Sequence, residues 1–141
     1  MSPGKIIPVI FLKKYKEFFI VFSVGAVIYS LIEIIFRGFT HWTMTLTGGT
    51  AFLMIHISNF RMKTKSLFLK CLAGSAIITA LEFFVGCIVN RRFHLNVWDY
   101  SGQKFNILGQ ICPVFSAAWF LLTLPALYLS KLIKTALIRK K

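Results

Sequence analysis

Residues 105–130, near the C-terminal end, read FNILGQICPVFSAAWFLLTLPALYLS, a run of 26 residues without a formal charge. A second run, residues 38–60, holds 23 residues without Lys, Arg, Asp or Glu. A helix needs about 20 residues to cross a hydrocarbon core of roughly 30 Å. Each run is therefore long enough to span a membrane.

The composition of the whole chain also indicates a membrane protein. Of the 141 residues, 57% are hydrophobic and 15% are charged, whereas a soluble domain has about a quarter of its residues charged. The chain has too little polar surface to coat a water-soluble globule, which excludes a soluble enzyme and a disordered chain. We predict an all-α, polytopic membrane bundle of four transmembrane helices, at about residues 18–36, 42–60, 66–90 and 106–130.

The basic residues set the predicted orientation of this bundle. Thirteen of the 17 Lys and Arg residues lie in an N-terminal segment (1–16), the 61–70 turn and the C-terminal end, and four lie in the other loops. Cytoplasmic loops are enriched in Lys and Arg, so we predict both termini in the cytoplasm. In domain terms, an interfacial segment (1–16) precedes the transmembrane domain (17–134), and a basic cytoplasmic tail (135–141) follows it. Basic clusters at helix ends contact membrane lipids, so nucleic acid is not an expected partner.

Two carboxylates fall inside predicted spans and are the leading site candidates. A charge within the membrane costs ~2.5–3.5 kcal/mol on insertion scales, so an inward-facing functional role is the default hypothesis. Glu33 either pairs with Arg37, one helical turn away, or belongs to a site. Glu82 shares a helix face with Gly86 and Asn90, and forms either a site or a protonated interhelical hydrogen bond. We predict that Glu82 faces the bundle interior near Glu33, in a polar pocket that opens outward.

The predicted outer loop, residues 91–105, contains the sequence WDYS at 98–101. Trp and Tyr favour membrane interfaces and Asp-x-Ser-Gly favours a turn, so one interpretation is an aromatic anchor on an Asp-capped turn. The other interpretation is a headgroup or solute site that also uses Arg91, Arg92 and Lys104. The predicted substrate-binding residues are Glu82, Glu33, Asn90, Trp98, Asp99, Tyr100, Arg91 and Arg92.

The start of the second predicted span is unusually polar. It contains Thr43, Thr45, Thr47, Gly48 and Gly49. Residues 41–50 are therefore either helical or irregular and re-entrant, and a membrane tolerates the second only where protein shields the backbone.

No motif predicts a metal, a cofactor or an enzymatic activity. His41 and His94 lie at the outer boundary with Asp99, but without metal-ligand spacing, and His56 is expected to be a packed or interfacial residue. No nucleophile–base pair is readable. No GxxxxGK[ST] sequence is present, so any ATPase would be a separate chain.

A set of residues spread over positions 20–125 matches one known family. They are Glu33, Arg37-Gly38-Phe39, Leu81-Glu82, Gly86, Trp98-Asp99-Tyr100-Ser101, Phe105-Asn106, Gly109 and Ile111-Cys112. In these residues the chain resembles the putative ABC-transporter type IV (CmpB-like) membrane family of bacteria, and WDYS is the most specific part. After Phe39, HWTM at 41–44 replaces the family's Gly-Pro and Pro-Ile-Tyr-Gly elements. The resemblance implies a permease-like protein of a bacterial plasma membrane.

Three functions remain open at the level of sequence. The first is transport of a small solute or lipid, which implies a homo-oligomer or a partner membrane subunit because four helices enclose little space. The second is a non-catalytic accessory protein that binds lipid or a membrane partner. The third is a membrane enzyme built on Glu82, Asp99 and His94. The short predicted turn at 61–65 offers an ATPase little surface, so the sequence does not support ATP-driven action.

Overall fold

The computed structural model describes residues 3–139, with side chains from Val9 to Arg139. Within this range the chain is helical and contains no β-strand. The helices are α1 (Pro3–Arg37), α2 (Trp42–Arg61), α3 (Leu67–Gly86) and α4 (Pro113–Arg139), and a π-helical segment (Cys87–Arg92) extends α3. The prediction of an all-α bundle is confirmed.

Three helical segments are long and apolar enough to cross a membrane. They are Val9–Arg37, Leu67–Arg92 and Pro113–Arg139. The 20 residues of α2 also reach about 30 Å at 1.5 Å per residue, but its Thr, Ser, Asn and His side chains make it less apolar. The membrane character of the helices is thereby supported, and a count of four spans stays a prediction.

The first helix is longer than the sequence predicted. It runs without a break from Pro3 to Arg37, so residues 3–16, expected as a separate interfacial segment, continue into the first span. At the other end of the chain, α4 continues to Arg139 through the first part of the expected tail. Residues 1–2 and 140–141 lie outside the described range, and the membrane placement of both terminal segments stays a prediction.

The last helix begins later than the predicted residue, Asn106. It begins at Pro113, a residue that suits the first helical position because the missing N–H would have no partner there. The preceding loop cannot be helical, because Phe105 and Leu108 have φ values of 57° and 53°. The Asn106 side chain instead accepts a 3.0 Å hydrogen bond from the Gly109 N–H.

Residues 41–50, for which the sequence left a helical and a re-entrant conformation open, are helical from Trp42 onward. Residues from Trp42 onward form regular helix, capped by the His41 side chain, which accepts from the Thr43 N–H. The threonines do not break the helix because their hydroxyls have partners: Thr47 and Thr50 donate to backbone carbonyls one turn earlier, at 2.7 and 2.9 Å, and Thr45 pairs with the Ser30 hydroxyl at 2.8 Å. Such bonding satisfies the hydroxyl inside the helix.

Small residues allow close helix contacts at two interfaces. The glycines of the α1–α2 interface touch aromatic side chains: Gly48 lies against Tyr29, and Gly49 lies against Phe22. Between α3 and α4, the Ser75 hydroxyl donates to the Ser116 carbonyl at 2.6 Å. The small residues of α3 thus pack as membrane helices commonly do, and the glycine contacts of α1 and α2 add a second such interface.

The four helices run alternately up and down, which groups their polar residues at two ends. One end contains the loop at residues 93–112, and we name it the loop end. The last residue of α1 (Arg37) and the first residues of α2 (Trp42) and α4 (Pro113) also lie there. The opposite end, which we name the basic end, carries Arg61 and Leu67 together with most of the Lys and Arg residues.

Candidate functional site

A buried ion pair at the loop end joins α1 to the loop. Glu33 is 7% exposed, and one of its oxygens accepts from Arg37 at 2.7 Å. The second oxygen accepts from the Thr40 hydroxyl at 2.9 Å. Arg37 also donates to the backbone carbonyl of Val97. The predicted pairing of Glu33 with Arg37 is therefore present, but it lies inside the protein and fixes the loop on α1.

Glu82 lies inside the bundle, where the sequence placed it. Its side chain is almost fully buried at 2% exposure, and its Oε2 accepts a 2.8 Å hydrogen bond from the Trp119 indole of α4. The Tyr29 hydroxyl of α1 faces the same carboxylate, and Glu33 lies near enough to interact with it electrostatically. Both carboxylates of the predicted pocket are thus buried, and their sharing of one pocket stays a prediction.

Aromatic rings form one wall of this carboxylate cluster. The rings of Tyr29 and Trp119 have centroids 6.1 Å apart, and those of Phe115 and Trp119 lie 6.5 Å apart. Tyr100 stacks on Phe115 at 4.4 Å. Burial raises the pKa of the Tyr100 hydroxyl well above its ordinary value, and the charge of Glu82 adds to this shift. Tyr100 is therefore a neutral hydrogen-bonding group beside the cluster.

Asn90 organises the loop above the cluster. The amide oxygen accepts from the Val97 N–H at 2.7 Å, and the amide nitrogen donates to the Trp98 carbonyl at 3.0 Å and to Gln110 Oε1 at 2.8 Å. All three partners of this buried side chain belong to the loop. Asn90 thus acts as an internal brace, and its predicted role in substrate binding is untested.

The residues of the WDYS sequence have different environments. Trp98 is only 6% exposed and its indole donates to the Gln110 carbonyl at 3.0 Å, so the interpretation of Trp98 as an interfacial anchor is wrong. Asp99 is exposed and caps a turn, accepting from the Ser101 N–H at 2.8 Å and from the Ser101 hydroxyl at 2.9 Å. These hydrogen bonds lower the pKa of Asp99. The Asp-capped turn is present as the sequence indicated.

Arg91 and Arg92 are not drawn into the cluster. Both lie on the π-helical segment and are exposed, and neither makes one of the hydrogen bonds described above.

The sequence did not reveal three polar contacts, those of Tyr29, Trp119 and Gln110. These residues lie inside apolar or uncharged stretches, where no pattern indicates a polar contact. In the described part of the chain, no group of three His, Cys, Asp or Glu side chains could hold a metal ion.

Comparison with known proteins places the chain in one family. No curated protein and no solved structure matches it. A family model does match, and it covers residues 19–140, which include both carboxylates, the loop and all of the aromatic wall. By this match, the chain belongs to the family described as "Putative ABC-transporter type IV" (ABC_trans_CmpB).

Proposed function

We propose that this protein is a non-enzymatic, transport-type membrane subunit that binds a small solute or a lipid headgroup in an outward-facing polar pocket. The observation that carries the proposal is the burial of two carboxylates inside the bundle, Glu33 on α1 and Glu82 on α3. Buried ionisable groups in membrane proteins commonly mark ligand pathways. The transporter-related family supports the same assignment.

The charges of the cluster favour one class of ligand. Arg37 neutralises Glu33, whereas Glu82 has hydrogen-bond donors around it and no basic partner at ion-pair distance among the described residues. A carboxylate group offers about four lone-pair sites, and Trp119 occupies one of them. A ligand with hydroxyl or amine donors complements this arrangement.

The proposal places four helices across a bacterial plasma membrane, with both termini in the cytoplasm. Of the 17 Lys and Arg residues, 13 lie in sequence segments 1–16, 61–70 and 131–141, and four lie between the other predicted spans, which supports a cytoplasmic basic end. The polar side chains of α2 face other helices, since Thr43, Thr47 and His56 are buried. A bundle of four helices encloses little space, so we propose a homo-oligomer or a partner membrane subunit.

A second candidate function is that of an accessory protein that binds lipid. A cavity of about 200 Å³ supports it. Its walls are almost entirely apolar and come from all four helices, including Gly25, Phe52, Ile78 and Pro125, and Tyr29 links it to the carboxylate cluster. An acyl chain fits the chemistry of this cavity.

Native mass spectrometry from mild detergent tests the proposed pocket. The wild-type protein should appear as an oligomer or complex that retains a small molecule or lipid. Glu82→Leu should lose this molecule, and Glu82→Gln should retain it, because the amide keeps an acceptor for Trp119. Gly102→Ala is the control, because no atom lies within 4 Å of a Cβ at this exposed loop position. A monomer without a bound molecule, or full retention by Glu82→Leu, would contradict the proposal.

A further inference from the structure

A second buried polar cluster lies at the basic end, and it joins three helices. His56 of α2 is 1% exposed and Ser130 of α4 is fully buried. The His56 Nδ1 lies 2.8 Å from the Ser130 Oγ, and its Nε2 lies 2.7 Å from the Glu17 Oε1 of α1. Neither ring nitrogen of His56 is left without a partner.

The hydrogen-bond donors and acceptors of this cluster fix how a neutral ring is protonated. An ionised Glu17 can only accept, so the His56 Nε2 carries the hydrogen. The Asn59 amide donates to the Ser130 Oγ at 3.4 Å, which leaves the Ser130 hydroxyl hydrogen free to point at Nδ1. The neutral ring therefore accepts from Ser130 and donates to Glu17.

The same geometry accommodates a second proton on the ring. A protonated Nδ1 would donate to the Ser130 Oγ, and the hydroxyl hydrogen of Ser130 would rotate away from the ring. No hydrogen bond of His56 is lost in this exchange. Protonation makes the donor as well as the acceptor charged, so the contact with Glu17 becomes a hydrogen-bonded ion pair.

From this geometry we propose that Glu17, His56 and Ser130 form a proton-binding site that ties α1, α2 and α4 together at the basic end. The site uses none of the residues of the carboxylate cluster at the loop end, so it stands independently of the function proposed above. Its ligand is a proton, and the imidazolium form packs the three helices more firmly than the neutral form.

Glu17 offsets the positive charges that lie around His56. Lys134 of α4 lies 3.5 Å from the Glu17 Oε1 and above the ring of Phe60. Lys70 of α3 donates to the Asn59 side chain at 2.9 Å. Both ammonium groups disfavour another positive charge nearby, and Glu17 is the carboxylate in contact with the ring that offsets them.

The order Ser–His–Glu is also that of a hydrolytic triad, but the structure favours a proton site. A nucleophilic serine must meet its substrate, and Ser130 is fully buried and already accepts from Asn59. Reaction of Ser130 with a fluorophosphonate probe, dependent on His56, would overturn the proposal in favour of a nucleophile.

Nitrogen-15 NMR of labelled histidine tests the site directly. The variant His41→Asn/His94→Asn, in lipid nanodiscs, leaves His56 as the single histidine of the chain. Between about pH 5 and 8, the range in which histidine titrates, its spectrum should change reversibly from the neutral form with hydrogen on Nε2 to the imidazolium form. A single neutral form across the whole range would overturn the proposal.

Two further variants separate a proton site from a simple structural contact. In Glu17→Gln on the same background, the ratio of imidazolium to neutral ring at pH 6 should fall by about tenfold, because the variant removes the negative charge that contacts the ring. Asp99→Asn, at the opposite end, should leave it unchanged. Thermal unfolding should lose its pH dependence in this range in His56→Gln. An unchanged titration in Glu17→Gln would contradict the role of the ion pair.

Discussion

The indole N–H of Trp119 on α4 donates a 2.8 Å hydrogen bond to the carboxylate of Glu82 on α3. Although 37 positions separate the two residues, the hydrogen bond gives the buried carboxylate a specific donor in a region otherwise lined by aromatic rings. A buried polar group without such a partner is costly. The contact therefore both stabilises the α3–α4 interface and aims the carboxylate at Tyr29 and Glu33.

Removal of the indole donor should destabilise the protein. Trp119→Phe keeps an aromatic ring but leaves Glu82 without its donor from α4, so we expect a loss of about 1–3 kcal/mol in unfolding free energy. Denaturant titration in detergent measures this loss. Trp42→Phe is the control, because Trp42 is exposed. In a double-mutant cycle, Trp119→Phe should cost much less in Glu82→Leu; equal costs in both backgrounds would contradict a direct coupling.

Loss of the Glu33–Arg37 ion pair should lower the unfolding free energy by more than loss of a surface pair does and by less than loss of a fully buried pair does. The Glu33 side chain is 8% exposed and that of Arg37 is 28% exposed. We expect Arg37→Met to cost between the roughly 1 kcal/mol of a surface pair and the roughly 3–5 kcal/mol of a fully buried one. Glu33→Gln/Arg37→Met should cost less than the sum of the two single changes. Strict additivity in unfolding measurements would show that the pair does not act as a unit.

The carboxylate positions could be predicted from the sequence because helix periodicity carries the information. Glu82, Gly86 and Asn90 recur at intervals of four, and all three are buried. What periodicity cannot supply is the partner on another helix. Trp119 and Tyr29 become hydrogen-bonding neighbours only through packing between helices, and neither has a local pattern that distinguishes it from an apolar aromatic residue.

Local side-chain hydrogen bonds decide two points that the sequence left open. The Thr-rich start of α2 is regular helix since the Thr47 and Thr50 hydroxyls donate one turn back. Trp98 is buried since its indole meets the Gln110 carbonyl inside the loop. The Glu17–His56–Ser130 cluster was invisible for another reason: its members lie 39 and 74 positions apart, and each is ordinary in its own helix.

The Asp99 turn should depend on pH with a definite sign. Hydrogen bonds from Ser101 favour the ionised carboxylate and lower the pKa of Asp99. The turn should therefore be fully ordered above the usual Asp pKa of about 3.9, and it should loosen as the pH falls through the lowered value. The chemical shift of the Ser101 amide reports this change. Asp99→Asn should remove the titration, and a titration of that amide that persists in Asp99→Asn would assign it to another group.

The contact of Gly48 with Tyr29 should tolerate no larger side chain. A Cβ at Gly48 would overlap the Tyr29 side chain, which lies beside Glu82, so Gly48→Ala should both separate α1 from α2 and disturb the cluster. Overpacking of this kind costs about 1–3 kcal/mol, which exceeds the gain of about 1 kcal/mol in helix propensity. Gly102→Ala is the control, because no atom lies within 4 Å of a Cβ there. Equal thermal stability of the two variants would contradict close packing at Gly48.

Single-cysteine labelling in intact cells checks the proposed orientation. After replacement of the free thiols Cys71, Cys87 and Cys112, Gly102→Cys and Lys65→Cys report on opposite ends of the bundle. Gly102 lies in the exposed loop, at the end that carries four of the 17 basic residues, so a membrane-impermeant maleimide should react with Gly102→Cys from outside. Lys65→Cys, between α2 and α3, should react only after the cells are permeabilised, because the basic end stays in the cytoplasm. Labelling of Lys65→Cys in intact cells would reverse the orientation, and it would place the carboxylate cluster on the cytoplasmic side.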